Sequence, residues 1–221
     1  KGLAMAGLHF VGNACYMQPE GNGAKADIAP YEFIPWILSQ CESVGQAQKL
    51  LLQTRLVAVP FNNKFPLSPL HFMIADKEKS IVAEPMSDGL KIYDNPIGVL
   101  TNNPPFPFHM ANLNNYMNLT ANVPVNRFSP EIVLNTYSRG MGAIGLPGDV
   151  SSRFVRAAFV RANSISGESE KESVNQFFHI LGSVEQVRGC VRLEDENYEM
   201  TTYSCCCNLE KGIFFVGLWT T

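Results

Sequence analysis

Leu70-His71-Phe72-Met73-Ile74-Ala75, Ile81-Val82-Ala83-Glu84 and Leu90-Lys91-Ile92-Tyr93 are three short apolar runs, separated by Asp76-Lys77-Glu78-Lys79 and by a turn ending in Asp88-Gly89. Connections this short cannot hold a crossover helix, so the runs are expected to be antiparallel neighbours in one sheet. Working outward, residues 3–11 read as a strand and Ile97–Thr101 as a further one. Thr201–Cys206 and Ile213–Trp219, joined through Asn208-Leu209-Glu210-Lys211-Gly212, read as a hairpin.

Helical spacing takes over between these strands. Pro30–Gln40 carries Tyr31, Phe33, Ile34, Trp36, Ile37 and Leu38, with Pro35 expected in a first turn. Ser43 followed by Gln46 is a capping-box pattern that opens a helix through Leu50, Leu51 and Leu52. Val57–Pro69, with Pro60 and Pro66 inside it, reads as an ordered loop. After the proline-rich break at 104–107, a helix is expected over His109–Leu119, and residues 120–150 read as a long loop. Ser152 starts a helix with Phe154, Val155, Ala158, Phe159 and Ala162 on one face. Glu172–Leu181 continues with Val174, Phe177, Phe178 and Leu181 at i, i+3, i+4 and i+7. The sum is an α+β chain, expected as a single domain over residues 1–221: two antiparallel sheets packed together with helices outside.

Hydrophobic residues make up 46% of the 221 and charged residues 17%, which excludes a mainly disordered chain. Seventeen Lys plus Arg against 20 Asp plus Glu leave a net charge of −3. No basic stripe exists to neutralise a phosphate backbone, so nucleic acid is not an expected partner. The longest apolar runs fall short of the ~20 residues of a membrane helix, so no membrane partner is expected either. The six cysteines show no Cys-x-x-Cys pair, and His9, His71, His109 and His179 show no His-x-x-x-His spacing, so no metal site is expected. Cys205, Cys206 and Cys207 alternate across a strand and cannot converge on one ion. They read as small apolar thiols kept reduced in a cytoplasm.

Three patterns could carry chemistry. Gly140-Met141-Gly142-Ala143-Ile144-Gly145 matches a dinucleotide fingerprint, but Pro147 and Gly148 break the helix that motif requires, so no nucleotide cofactor is expected. Thr101-Asn102-Asn103-Pro104 closes an expected strand. By spacing it reads as a turn, with an amide donor aimed at an oxyanion as the functional alternative. Arg153 falls in the first turn of an apolar helix, where the helix dipole disfavours a cation. No Ser/His/Asp triad spacing and no Gly-x-Ser-x-Gly elbow occurs.

These residues also carry a likeness. Ala6-Gly7-Leu8, Tyr31-Glu32-Phe33-Ile34-Pro35-Trp36, Ser68-Pro69-Leu70-His71, Val99-Leu100-Thr101-Asn102-Asn103-Pro104, Tyr137-Ser138-Arg139-Gly140-Met141-Gly142, Gly145-Leu146-Pro147-Gly148-Asp149, Ser152-Arg153-Phe154-Val155-Arg156-Ala157-Ala158-Phe159 and Phe177-Phe178-His179-Ile180-Leu181 occur in that order. Together they resemble the choloylglycine hydrolases, the bile salt hydrolases and penicillin V acylases of the N-terminal-nucleophile superfamily. The resemblance implies a four-layer αββα sandwich of antiparallel sheets. It also implies an N-terminal Cys whose own α-amine, titrating near ~8, serves as base in amide hydrolysis. Asn102 would be the side-chain oxyanion donor, the backbone N–H of His9 a second donor, and Arg153 the arginine that steadies the nucleophile. Phe61 and Phe65 would line an apolar steroid site. A conjugated bile salt is the implied small-molecule partner, no cofactor is implied, and the full-length protein would be cytoplasmic and could assemble as a homotetramer.

The chain departs from that pattern in several places. Bile salt hydrolases have Asn where this chain has His9, and penicillin V acylases typically have Tyr. Two residues fewer than usual between Asp149 and Arg153 imply a displaced arginine. The opening Lys1-Gly2-Leu3-Ala4 already reads as strand, and the nucleophile segment has no counterpart among these residues. The expectation is therefore a partial domain, short at the N-terminus and also beyond Trp219, with no nucleophile of its own. A bile salt hydrolase, a penicillin V acylase-like amidase and an inactive truncated paralogue all stay open on this reading.

Overall fold

The computed structural model describes residues 2–21, 23–122, 125–127, 129–134, 150–192 and 197–218. Its centre is a four-stranded antiparallel sheet, ordered β1-β4-β5-β6, from β1 (Ala4–His9), β4 (Leu70–Ala75), β5 (Ser80–Met86) and β6 (Gly89–Asp94). The apolar runs beginning at Leu70, Ile81 and Leu90 form its last three strands. Gly89, at the start of β6 opposite Met86, has φ 111°, a conformation L side chains rarely adopt.

Its central strands, β4 and β5, are covered on both faces. Phe72 and Ile74 of β4 and Ile81 and Ala83 of β5 face α1 (Pro30–Gln40) and α2 (Val44–Leu52), forming one core with Phe33, Ile37, Val44, Ala47 and Leu51. Phe33 and Phe72 meet edge to face, ring centroids 4.7 Å apart. On the opposite face Val82 joins Leu100, Phe106, Phe154 and Ala158 in a second core. These come largely from α3 (Phe106–Asn112), continued by a 3-10 turn at Leu113–Tyr116, and from α4 (Val150–Asn163).

Smaller pieces frame the sheet. β2 (Ala26–Ile28) and β3 (Thr54–Leu56) form a parallel pair. Arg55 of β3 pairs with Asp27 of β2 at 2.6 Å and with Glu20 at 2.5 Å. The Asp76 carboxylate accepts from the N–H groups of Glu78 and Lys79 in the β4–β5 turn, each at 2.9 Å, and from Val44 N–H at the start of α2 at 2.8 Å. One side chain thus fixes both the hairpin turn and the helix above it. Helix α5 (Glu170–Gly182) lies against a separate hairpin, β9 (Tyr203–Asn208) with β10 (Ile213–Leu218), and β7 (Val191–Arg192) pairs with β8 (Tyr198–Glu199).

Several local expectations change. Helix α1 begins at Pro30, which takes the first-turn position, and Pro35 lies inside the helix. Gln46 completes its cap one residue early: Ser43 Oγ accepts from Gln46 N–H, but Gln46 Oε1 accepts from Glu42 N–H at 2.7 Å. The reciprocal box forms instead at α5, between Ser169 and Glu172. Helix α3 starts three residues before the expected His109, and α4 two before Ser152.

Ile97–Thr101 is not a strand. Side chains from other elements take up its backbone groups: Asn95 bonds Gly98 N–H and Val99 O, Arg161 donates to Ile97 O, and His71 bonds Thr101 O. The Gly140–Gly145 motif and Trp219 lie outside the described residues.

The two-faced core gives a direct expectation. Phe72→Ala, deleting a fully buried ring beside Phe33, should lower unfolding free energy by ~3–5 kcal/mol in urea titration.

Candidate functional site

The site begins at the end of β1. Phe10 N–H donates to Pro69 O at 2.8 Å, so the Phe10–Pro69 pair is hydrogen-bonded. Antiparallel pairs alternate, so His9, opposite Leu70, turns its own N–H and C=O away from β4 toward the open edge of the sheet. On that side His9 O accepts from Asn102 Nδ2 at 3.0 Å. Asn102 Oδ1 in turn accepts from Arg153 Nη1 at 3.1 Å, and Arg153 Nε donates to Val184 O at 3.1 Å. Next to it, Asn103 Nδ2 donates to Val11 O at 2.6 Å, and the Asn103–Pro104 peptide is cis. The structure thus links His9, Asn102 and Arg153, residues from three distant parts of the chain, in one line of hydrogen bonds.

The direction of that line is fixed by chemistry. A guanidinium can only donate and a carbonyl can only accept, so the Asn102 oxygen faces Arg153 and its nitrogen faces His9. One of the two Nδ2 hydrogens is used on His9 O. The other, and the outward N–H of His9, leave the same neighbourhood with donors for a developing negative oxygen. Arg153 sits in the first turn of α4 against the helix dipole because its partners are the Asn102 and Val184 oxygens. Burial pushes its guanidinium down from the usual value, and the Glu199 charge opposes that. The shortening before Arg153 does not keep it from Asn102.

Behind Asn102 lie three polar side chains that the sequence reading passed over. His71, Glu84 and His109 are each fully buried. His71 bonds Glu84 Oε1 through Nδ1 at 3.1 Å and Thr101 O through Nε2 at 3.0 Å. Glu84 Oε1 also accepts from Phe106 N–H at 2.9 Å, and His109 Nε2 bonds Asn102 O at 3.1 Å. The signal was present in the sequence. A Glu closing the run Ile81-Val82-Ala83-Glu84 and a His inside Leu70–Ala75 are polar groups in strands too apolar to face water, and such groups are buried only with partners.

Phe61 and Phe65 stand apart from this line. Both are exposed, at 66% and 62%, and Phe61 packs edge to face on Tyr31 at 5.2 Å. Their loop is held by Asn62 Oδ1, which accepts from Lys64 and Phe65 N–H, and by Tyr16 Oη, which donates to Ser68 O. A cavity of about 530 Å3 lies elsewhere, lined by Asp76, Lys79, Asp94 and Arg161 among others. Another, of about 210 Å3, is lined by Cys15, Arg55 and Leu90. Among the described residues no three His, Cys, Asp or Glu side chains cluster as metal ligands, and no helix is long and apolar enough to cross a membrane. None of the six cysteines forms a disulfide.

The sequence matches the model of linear amide C–N hydrolases of the choloylglycine hydrolase type over residues 1–220. The chain belongs to the choloylglycine hydrolase family. Within it, the chain is 52% identical over 217 residues to the bile salt hydrolase/transferase of Lactiplantibacillus plantarum, covering 97% of this chain and 66% of that one. It is 40% identical to the bile salt hydrolase/transferase of Clostridium perfringens, covering 99% and 67%. The crystal structure of a mutant conjugated bile acid hydrolase from Clostridium perfringens superposes with a TM-score of 0.88 at 38% identity, over 99% of this chain and 67% of that one. Penicillin V acylase from Agrobacterium tumefaciens shares the fold at a TM-score of 0.74 and 20% identity, over 100% and 61%. The chain spans about two thirds of the length of the bile salt hydrolases it matches.

Burial holds the His109 imidazole below its ordinary value, with the Asn102 carbonyl opposing. Its unfolded counterpart titrates near ~6.5, so below that pH the unfolded chain takes up a proton that the folded chain resists. Stability from this group is therefore intact above pH ~6.5 and is lost as the pH falls toward the lower folded value. Urea midpoints measured from pH 7.5 to 5 should fall more steeply for the wild type than for His109→Gln, which keeps a donor for Asn102 O but cannot titrate.

Proposed function

We propose that the full-length protein containing this chain hydrolyses the amide bond of glycine- or taurine-conjugated bile acids. The observation that supports the reading is the hydrogen-bonded line from Arg153 through Asn102 Oδ1, and from Asn102 Nδ2 to His9 O at the end of β1. In the proposed reaction the thiolate of an N-terminal Cys, outside these 221 residues, attacks the amide carbonyl after its α-amine takes the thiol proton. Asn102 Nδ2–H and His9 N–H receive the developing oxyanion, a contribution of ~3–4 kcal/mol per donor in comparable sites. Arg153 holds the Asn102 carboxamide in register and places positive charge beside the thiolate. The α-ammonium returns its proton to the amide nitrogen as the C–N bond breaks, glycine or taurine leaves as the amine, and water resolves the acyl-enzyme. Phe61 and Phe65 offer exposed apolar rings suited to a rigid steroid.

The same reading assigns a four-layer αββα sandwich in which the chain is one domain, completed by residues outside it. It also assigns a cytoplasmic location, in keeping with six cysteines that form no disulfide, and assembly as a homotetramer. Support comes from the 52% and 40% identities to bile salt hydrolases and from the sheet-and-helix layers already described.

Two outcomes test the proposal. The protein isolated from its own cells should begin with Cys by N-terminal sequencing and intact mass; a mature chain starting at Lys1 would remove the nucleophile and the proposal with it. The full-length enzyme should cleave conjugated bile salts in strong preference to penicillin V, with equal turnover of both sinking the assignment. Asn102→Ala should lower kcat by ~100-fold or more while KM changes little, as loss of an oxyanion donor does.

A further inference from the structure

We infer that the buried His71–Glu84 pair is a positioning device that sets the Asn102 carboxamide from behind, an inference that rests on the oxyanion role proposed for Asn102. The register that pairs Phe72 with Ala83 puts His71 directly opposite Glu84 one step further along, on the sheet face that carries Val82. Both side chains are fully buried, and Phe10 stacks on the His71 ring at 4.4 Å. From that face the pair holds both ends of the Thr101–Phe106 turn: His71 Nε2 on Thr101 O, and Glu84 Oε1 on Phe106 N–H. Asn102 is the residue between the carbonyl His71 holds and the rest of the turn, and His109 fixes the Asn102 carbonyl itself.

The bonding leaves little freedom. Thr101 O can only accept, so His71 Nε2 carries a hydrogen. His71 Nδ1 then either donates to a Glu84 carboxylate or accepts from a protonated Glu84, and the pair is net neutral both ways. In each case the single atom Oε1 serves both His71 and Phe106. An amide cannot do this. Its oxygen would satisfy Phe106 N–H but require a buried imidazolium without a counter-charge, and its NH2 would satisfy Nδ1 but oppose Phe106 N–H. Glu84→Gln therefore preserves shape and breaks one of the two bonds, which loosens the turn that presents Asn102. Fully buried behind the turn, the pair acts through Asn102.

The test uses the full-length protein with its N-terminal Cys, and the variants Glu84→Gln, His71→Phe and His71→Gln, each alone and combined with Asn102→Ala. Glu84→Gln and His71→Phe should lower kcat on glycine and taurine conjugates by ~10–100-fold, the scale of a small misplacement of a catalytic group, with KM within about twofold. His71→Gln, which keeps a donor for Thr101 O, should recover part of the loss. Combined with Asn102→Ala, none should lower kcat further, because the group being positioned is gone. Full additivity, or unchanged kcat in the single variants, overturns the inference. Should Glu84→Gln not fold, His71→Gln carries the cycle. A second readout needs no substrate: the side-chain amide resonance of Asn102, assigned by its loss in Asn102→Ala, should shift or broaden in the His71 and Glu84 variants. An unmoved resonance overturns the inference even where the wild type cleaves no conjugate, an outcome that by itself would sink only the functional reading.

Discussion

Central strands covered on both faces have no water to offer their polar side chains, and that constraint shapes the rest of this structure. Strand β5 is buried continuously from Ile81 to Pro85, so Glu84 persists there only by finding partners within the protein. It finds them in His71 across the ladder and in the first amide of α3. The same bonds that engage one oxygen of this buried carboxyl tie the sheet to the turn at Thr101–Asn102. Packing and site construction are one arrangement: the second core, with Phe154 stacked on His109 at 4.3 Å, presses that turn against the end of β1.

The hydrophobic pattern made much of the fold legible. Short apolar runs and short turns located β4, β5, β6 and the β9–β10 hairpin, and helical spacing located α1 at its observed bounds. What it missed has a common physical cause. β2 and β3 are three residues each, too short for a period to show, and parallel pairing leaves no turn signal. Ile97–Thr101 has strand-like residues, but its backbone bonds go to Asn95, Arg161 and His71 instead of a ladder. A propensity argument cannot see a competitor supplied from sixty residues away.

The site was legible to a different degree. Spacing alone favoured a plain turn at Asn102, and the likeness to choloylglycine hydrolases is what singled out Asn102, Arg153 and His9. Arg153 did carry an independent physical clue, a cation against the helix dipole, which the contact with Asn102 explains. His71, Glu84 and His109 had a clue of equal strength, polar side chains among residues destined for burial, and its meaning emerged only with the partners in view. Phe61 and Phe65 are exposed on their loop, with Phe61 packed on Tyr31 of α1.

The Asn102 carboxamide is gripped at its oxygen by a donor and at its nitrogen by an acceptor. Aspartate has nearly the same volume and outline, yet it would turn a second acceptor toward His9 O and lose the hydrogen aimed past it. Leucine would fill the space and satisfy neither neighbour. The position therefore discriminates by the sense of a dipole along a fixed axis, a property that neither size nor hydropathy encodes.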